Sequence, residues 1–441
     1  MKYSKFNLIV PHGHELILFN TLSGETYELN EKLCKIINHN DTNLLDEETT
    51  QQFNKSKIII EDNYDEDRVI KYHFDKTKYA NGVLTATVLL TWKCNFRCIY
   101  CYEGGGEKYT HTMTIETADS VIRFLINIAN WNNISNIHIV LFGGEPLLNI
   151  EMGFHILEML KKYCDETEKK LSCSMVSNGS LLTRYIIEKL IAYRCSFIQI
   201  TLDGSENTHN NRRLAKNGQP SFKPILENIR LLDEFYEKIG CVIRMNVDKV
   251  NMEEVETLMK ILREQGIQHA SLDFGIVHSV TDSCLGYSGN CFKEEELGEV
   301  LDRLWKTAAQ QGFTRYPNLQ RKSCYCGLYC ENNYTISPKG EVYKCWEMVG
   351  DERHKIGDIS SKGTVENIQY ALYDWMTIDP FDNEECAKCP YLPLCGGGCI
   401  MFSMNSTGSY HGNGCFKVKG VIEKQVIEFV KRMEQHERRD I

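Results

Sequence analysis

Apolar and polar positions follow three different rhythms along this chain, and each rhythm predicts a different kind of element. Up to about residue 75 there are short apolar runs, FNLIV, ELILF and GETYEL, then two helical stretches, NEKLCKIINHN and LDEETTQQFNKS, each opened by a polar capping residue. A small module of strands followed by helices is expected over 1–75. The acidic stretch EDNYDEDR, 61–68, lacks apolar periodicity and reads as a linker or exposed loop, with a domain boundary near 75.

From about 83 the rhythm changes to strand-like apolar runs alternating with amphipathic helical windows. VLTATVLLTW is followed by TIETADSVIRFLINIANW, and NIHIVLFGG by IEMGFHILEMLKKYC. The remaining strands are LSCSMVSNG, SFIQITLDG, CVIRMNVDK and HASLDFGIV, and the last helix of the series is EEELGEVLDRLWKTAAQQG. Six β/α units in succession imply a parallel sheet, and six are too few for a full eight-stranded barrel. The fold class expected is therefore α/β, with a partial six-unit barrel over 76–312. Polar and glycine-rich residues recur at the strand ends, in WKCN, FGGEP, SNGS, LDGS and NVDK. That rim is where α/β barrels place their chemistry. Beyond about 313 the pattern breaks into a cysteine-rich, turn-rich stretch closed by the amphipathic helix VKGVIEKQVIEFVKRMEQ, so 313–441 is expected to be a third domain.

Composition narrows the function. The 441 residues are 42% hydrophobic and 25% charged, ordinary globular material sufficient for about three domains. A formal net charge of −10 supplies no basic field for phosphodiester backbones, so nucleic acid is not an expected partner, and a cationic peptide suits the chain better. The opening MKYSKFNLIVPHGHE has no export-signal pattern and no later run is long enough to span a bilayer, from which a cytoplasmic protein without a membrane partner is expected. The 19 cysteines crowd into two regions, which points to metal or redox chemistry and away from a secreted disulfide framework.

Directly after the first barrel strand come Cys94, Cys98 and Cys101, in CNFRCIYC. Three thiolates can hold three irons of a cubane and leave the fourth open, unlike the usual four-cysteine ligation. The spacing, with Tyr100 before the last cysteine, resembles the signature of the radical S-adenosylmethionine (SAM) enzymes, in which the open iron chelates SAM. A zinc site, the alternative, would need a fourth Cys or His nearby. The next strand ends in Gly143, Gly144, Glu145 and Pro146, similar to that family's GGEP motif, whose backbone and carboxylate receive the methionine amino group. Ser174 and Asn178, Asp203 in LDG, and Arg213 in HNNRR resemble family positions that contact ribose or the methionine carboxylate. A strand-end cap or a loop salt bridge is the plainer reading of each.

The C-terminal region runs Cys330, nine residues, Gly340, four residues, Cys345, then Cys386, Cys389, Cys395, Cys399 and Cys415. This resembles the seven-cysteine SPASM extension of some radical SAM enzymes, which implies two further four-iron clusters and an eighth thiolate. Cys324 is the expected eighth, by resemblance to sulfatase-maturing enzymes, and Cys326 competes with it. The resemblance implies one cluster on Cys324, Cys330, Cys345 and Cys399 and another on Cys386, Cys389, Cys395 and Cys415. Paired zinc ribbons are the alternative. Cys34, Cys164, Cys173, Cys195, Cys241, Cys284 and Cys291 match no ligand spacing and are expected mostly in the core.

The family resemblance implies three 4Fe-4S clusters and SAM as cofactors, and an electron donor such as flavodoxin or ferredoxin as a partner. The first 75 residues look like the winged-helix recognition element of enzymes that modify ribosomally made peptides, which implies a precursor peptide whose leader adds as an edge strand. Thioether formation from a cysteine sulfur, as in sactipeptides and ranthipeptides, is the first expectation, with carbon-carbon crosslinking next. A formylglycine-forming sulfatase maturase and a non-catalytic zinc or ferredoxin-like protein are the rivals. Asp273 and His278, near the sixth strand's end, could face the substrate or be structural polar groups.

Overall fold

In the computed structural model, residues 1–107, 109–279 and 282–437 are described, without the side chains of 282–285 and 434–437. The side chain of Cys284 therefore lies outside the described residues. Among the described residues no helix is long and apolar enough to cross a membrane.

The six expected parallel strands are present as Val83–Leu89, Asn136–Phe142, Lys170–Ser177, Cys195–Thr201, Gly240–Val247 and Ser271–Ile276, each hydrogen-bonded to the next in that order. Their helices cover one face. Helix Ile115–Trp131 is capped by Thr114 and buries Val121, Phe124 and Leu125, and helix Ile150–Glu166 buries Phe154, Leu157 and Leu160. These i, i+3 and i+4 spacings place an apolar stripe on the sheet.

The sheet does not close on itself. The outer edge of Val83–Leu89 is taken in parallel by Asn333–Ile336, from the cysteine-rich region. Glu341–Tyr343, Gly357–Ile359 and Val365–Glu366 then continue the sheet antiparallel. Ten strands thus form one sheet, and the C-terminal region is an extension of the parallel core.

The N-terminal segment has the expected strand-then-helix order: Asn7–His12, Glu15–Asn20 and Thr26–Leu29 form an antiparallel sheet, followed by helices Glu31–Asn38 and Glu47–Lys55. Asn30 and Asp46 cap those helices by accepting from Leu33 N and Thr49 N. The central strand ELILFN is almost continuously apolar because both of its faces are covered. Leu18 packs with Phe53, Ile58 and Ile59 on one face. On the other, Ile17 and Phe19 pack with Ile422, Val426 and Val430 of the closing helix, Val421–Glu437. Phe429 meets Phe19 edge to face at 6.3 Å.

The acidic stretch 61–68 is a mostly exposed loop over 61–65, as expected, but not at its end. Helix Glu66–Lys78 starts within it and runs through residue 75. Asp65 caps the helix and Glu66 and Asp67 lie in its first turn, where the helix dipole favours negative charge, so the end of the acidic run is a helix start. Ile70, Phe74 and Lys78, four residues apart, form its buried face. Two apolar residues were too few to show as a period in the sequence.

Phe19→Ala should remove the contact that joins the N-terminal sheet to the closing helix, lowering stability in anaerobic urea denaturation by ~3 kcal/mol, with Phe19→Leu costing clearly less.

Candidate functional site

All six core strands send residues into one cavity of about 620 Å³. Thr87, His138, Ser174, Gln199, Arg244 and Ile276 come from the first to the sixth strand respectively, so the sheet curls around this space. Trp346 and Glu347 of the cysteine-rich region complete the wall.

Cys94, Cys98 and Cys101 all line this cavity. Their loop is held on one side by a two-stranded pairing of Phe96–Cys98 with Arg213–Ala215, in which Arg213 lies opposite Cys98. On the other side it is held by backbone contact. Gly144 N and Glu145 N donate to Thr91 O and Lys93 O, each at 2.9 Å. Gly143 has φ of 136°, and a Cβ there would stand 2.3 Å from Thr91 O; one on Gly144 would stand 2.5 Å from Trp92 O. The two glycines are therefore required by the chain entering the cysteine loop, which leaves no room for a side chain.

Burial pushes the Cys94 and Cys101 thiols up to about 12, and the Cys98 thiol is raised by the same cause. They are neutral thiols at pH 7 until a metal takes their protons. Among the described residues no three His, Cys, Asp or Glu side chains converge on a point suited to a single metal ion.

The expected SAM contacts divide into two groups. Tyr100, Gly143, Gly144, Ser174, Asn178 and Arg213 line the cavity. Glu145 and Asp203 do not: both are fully buried behind the wall, with their oxygens occupied. Glu145 accepts from Leu147 N at 3.0 Å, Ser177 Oγ at 2.8 Å and Asn178 N at 2.7 Å, which knots two strand-end loops together. Asp203 accepts from Asn246 N at 3.0 Å and from the Tyr100 hydroxyl, and faces Arg212 Nε at 3.5 Å. Pro146 is buried at the start of the short helix Pro146–Asn149. These three shape the site from behind: the two carboxylates are satisfied internally, and the proline offers no polar side chain.

Arg213 has the opposite character. Its Nη1 donates to Tyr100 OH at 2.9 Å, while its buried Nε has no hydrogen-bond partner. Glu103, also on the wall, carries a buried Oε1 without a partner, and burial pushes its carboxyl up to about 7. The wall beside the three thiols thus carries a guanidinium N–H and a carboxyl oxygen that are buried without a protein hydrogen-bond partner.

Several wall residues escaped the sequence reading. His138 stands between Ser172 Oγ at 2.8 Å and Ser174 Oγ at 3.1 Å, and burial lowers its pKa, keeping the ring neutral. Gln199, Thr201 and Asn246 also face inward. Their signal was polar residues at every second strand position, where a packed barrel would carry aliphatics. His278, one of the two open candidates, lines the cavity with its Nε2 3.4 Å from Glu347 Oε1, whereas Asp273 pairs with Arg244.

Two groups of thiols lie in the C-terminal region. Cys386, Cys389, Cys395 and Cys415 are mutual neighbours: burial pushes Cys386 up to about 11 and Cys395 up to about 12, with the other thiols adding to both. The second group has five members. Cys326 neighbours Cys399 and Cys330, and Cys345 neighbours Cys326 and Cys399, while Cys324 lies against Cys330 and Cys326. Hydrogen bonding to Cys324 lowers the Cys330 thiol to about 7. Of the cysteines expected in the core, Cys164, Cys173, Cys195 and Cys241 are buried, and Cys34 and Cys291 are partly exposed.

A curled parallel sheet with three loop cysteines at its open rim defines the class. Residues 88–262 match the radical SAM superfamily, and this part of the chain is a radical SAM domain, which implies a 4Fe-4S cluster and SAM. The chain is 25% identical to the antilisterial bacteriocin subtilosin biosynthesis protein AlbA of Bacillus subtilis, over 79% of this chain and 74% of that protein. It is equally 25% identical to a cysteine-type anaerobic sulfatase-maturating enzyme of Clostridium novyi, over 69% and 84%. In fold it is similar to Streptococcus suis SuiB bound to the precursor peptide SuiA, with a TM-score of 0.55, 15% identity, and 95% and 99% of the two chains covered.

Gly143→Ala should be poorly tolerated, since the new Cβ meets backbone, and should cost at least ~3 kcal/mol in anaerobic thermal unfolding. Glu145→Gln sets an NH2 group against a donor and should cost ~1–3 kcal/mol in the same measurement.

Proposed function

We propose that this protein is a radical SAM enzyme that modifies a ribosomally made peptide, forming a crosslink from a cysteine sulfur to a carbon. The observation that carries the reading is the meeting of Cys94, Cys98, Cys101 and Arg213, whose Nε is unpaired, in one cavity lined also by Trp346 and Glu347 of the cysteine-rich region.

Cys94, Cys98 and Cys101 would hold a 4Fe-4S cluster. Arg213 would receive the carboxylate of SAM, and Ser174, Asn178 and Tyr100 would contact the rest of it. When bound, cluster and SAM supply a 5′-deoxyadenosyl radical able to take hydrogen from an unactivated carbon. The chain's own work is to orient and to exclude water. The inward polar groups His138, Gln199 and Asn246 give a bound nucleoside hydrogen-bonding partners, while Phe96, Phe142, Val176 and Ile276 keep the space dry.

The cysteine-rich region fits the SPASM reading. Cys386, Cys389, Cys395 and Cys415 would hold one auxiliary cluster. Cys330, Cys345 and Cys399 would hold the other, with Cys324 or Cys326 as the fourth ligand. A flavodoxin- or ferredoxin-type donor would supply electrons.

The N-terminal segment, 1–75, is read as a winged-helix-like leader-binding module. The outer strands of its sheet, Asn7–His12 and Thr26–Leu29, have no further strand beside them among the described residues. Pro11 removes a donor from the first, which leaves Thr26–Leu29 as the edge for a leader to extend. The sulfatase-maturase alternative has support in the Clostridium novyi relative, whose sequence match covers 69% of the chain against 79% for the subtilosin biosynthesis protein AlbA.

After anaerobic reconstitution, about twelve irons and dithionite-dependent release of 5′-deoxyadenosine are expected, with release abolished by Cys94→Ala, Cys98→Ala and Cys101→Ala combined. Zinc in place of iron, or no cleavage, overturns the enzyme reading. Arg213→Ala should weaken SAM binding by ~10-fold or more in equilibrium dialysis, the loss of a charged hydrogen bond. A Thr26→Pro substitution should weaken leader-peptide binding measured by fluorescence anisotropy while leaving iron content unchanged.

A further inference from the structure

Helix Glu66–Lys78 ends against the cysteine-rich region, and two lysines are buried at that junction. Lys78 is 3% exposed and Lys344 2% exposed. Neither forms an ion pair with a carboxylate among the described residues. Lys344 Nζ donates to Cys330 O at 2.7 Å, Glu331 O at 3.2 Å and Asn333 O at 2.6 Å. Three acceptors match the three N–H groups of an ammonium, whereas a neutral amine has only two. Lys78 Nζ donates to Ile378 O at 2.7 Å and lies 5.4 Å from the ring centre of Phe74 and 5.5 Å from that of Tyr79.

A cation removed from water without an anion is costly: burial lowers the Lys344 amine to about 7 and the Lys78 amine below its ordinary value, and an anionic sulfur at Cys330 or Cys324 acts in the opposite direction, favouring the charged form. The groups beside these two that become anionic on metal binding are thiols. Cys330 Sγ lies 3.5 Å from Thr77 O and Cys324 Sγ 3.9 Å from Phe74 O, both on the last turns of the helix that carries Lys78. Cys330 also supplies one of the three carbonyls that hold Lys344. A cubane on four thiolates is a net anion, and its negative charge grows by one on reduction. The other thiol group is placed differently: the cation that acts on it, Lys419, is exposed and screened by water.

We propose that Lys78 and Lys344 are the buried counter-cations of the auxiliary cluster held by Cys330, and that they set its reduction potential above that of the cluster at Cys386, Cys389, Cys395 and Cys415. This rests on the reading that the region holds two four-iron clusters. Positive charge fixed in a low-dielectric site stabilises the reduced cluster more than the oxidised one. The lysines are positioning residues: they touch neither substrate nor SAM in this scheme.

The test is an EPR-monitored potentiometric titration of the full-length reconstituted protein, alongside an iron count, for wild type, Lys344→Met, Lys344→Arg and Lys78→Met. A negative shift of one auxiliary midpoint is expected in both Met variants, with the other midpoints unmoved and Lys344→Arg near wild type. Loss of that single cluster in Lys344→Met, with retention in Lys344→Arg, supports the same charge requirement. If Lys344→Met does not fold, Lys78→Met decides alone. A full iron count with unchanged midpoints in the Met variants overturns the counter-cation assignment only. An iron count of about four in wild type overturns the two-cluster reading itself.

Discussion

Backbone contact between Gly143–Gly144 and Thr91–Lys93 holds the cysteine loop over the end of the parallel sheet. No side chain fits between these segments, since any Cβ on either glycine would stand within 2.5 Å of a carbonyl oxygen. Glu145 continues the same contact by gathering donors from Leu147, Ser177 and Asn178. The positions of Cys94, Cys98 and Cys101 thus depend on how two strand ends pack, and the pairing with Arg213–Ala215 fixes the loop from the other side. A loop held on both flanks keeps its three thiols directed at the cavity.

Electrostatics separates the frame of this site from its working surface. Glu145, Asp203 and Arg212 are buried and held by partners within the protein, Arg212 through Asp203 and Asp248. They stabilise the walls because their charges are answered internally. Arg213 and Glu103 line the cavity and each has a buried polar atom without a hydrogen-bond partner, Nε and Oε1, whereas Arg212 Nε, also without one, is turned to Asp203. The same distinction holds in the cysteine-rich region. Lys78 and Lys344 are cations among carbonyl dipoles and thiols, and a negatively charged cluster would complete their surroundings.

The sheet also explains how the parts of the chain cooperate. Because Asn333–Ile336 extends the first core strand, the C-terminal region is attached at the strand that leads into the cysteine loop. Trp346 and Glu347 reach the cavity for that reason. The N-terminal sheet is attached to the opposite end of the chain through the closing helix, so its exposed edge and the cavity belong to one connected structure.

Much of this was legible in the sequence because it depends on local chemistry. Six alternations of apolar strand and amphipathic helix specify six β/α units, and thiol spacings as regular as those of Cys94 to Cys101 and Cys386 to Cys399 have few uses other than metal. What tertiary structure decided concerns which side of a wall a residue faces. Glu145 and Asp203 carry the same strand-end signal as Ser174 and Asn178, yet lie behind the cavity, because neighbouring loops supply donors that absorb their charge. His138, Gln199 and Asn246 were hidden in strands whose inward face is set by the curl of the whole sheet. The end of the acidic run at 61–68 became a helix start through the packing of Ile70 and Phe74, and Cys345 and Cys399, distant in sequence, were brought beside Cys326 by chain folding. Sequence spacing determines which groups can act together within one loop; burial and orientation depend on contacts between distant segments, which no local pattern encodes.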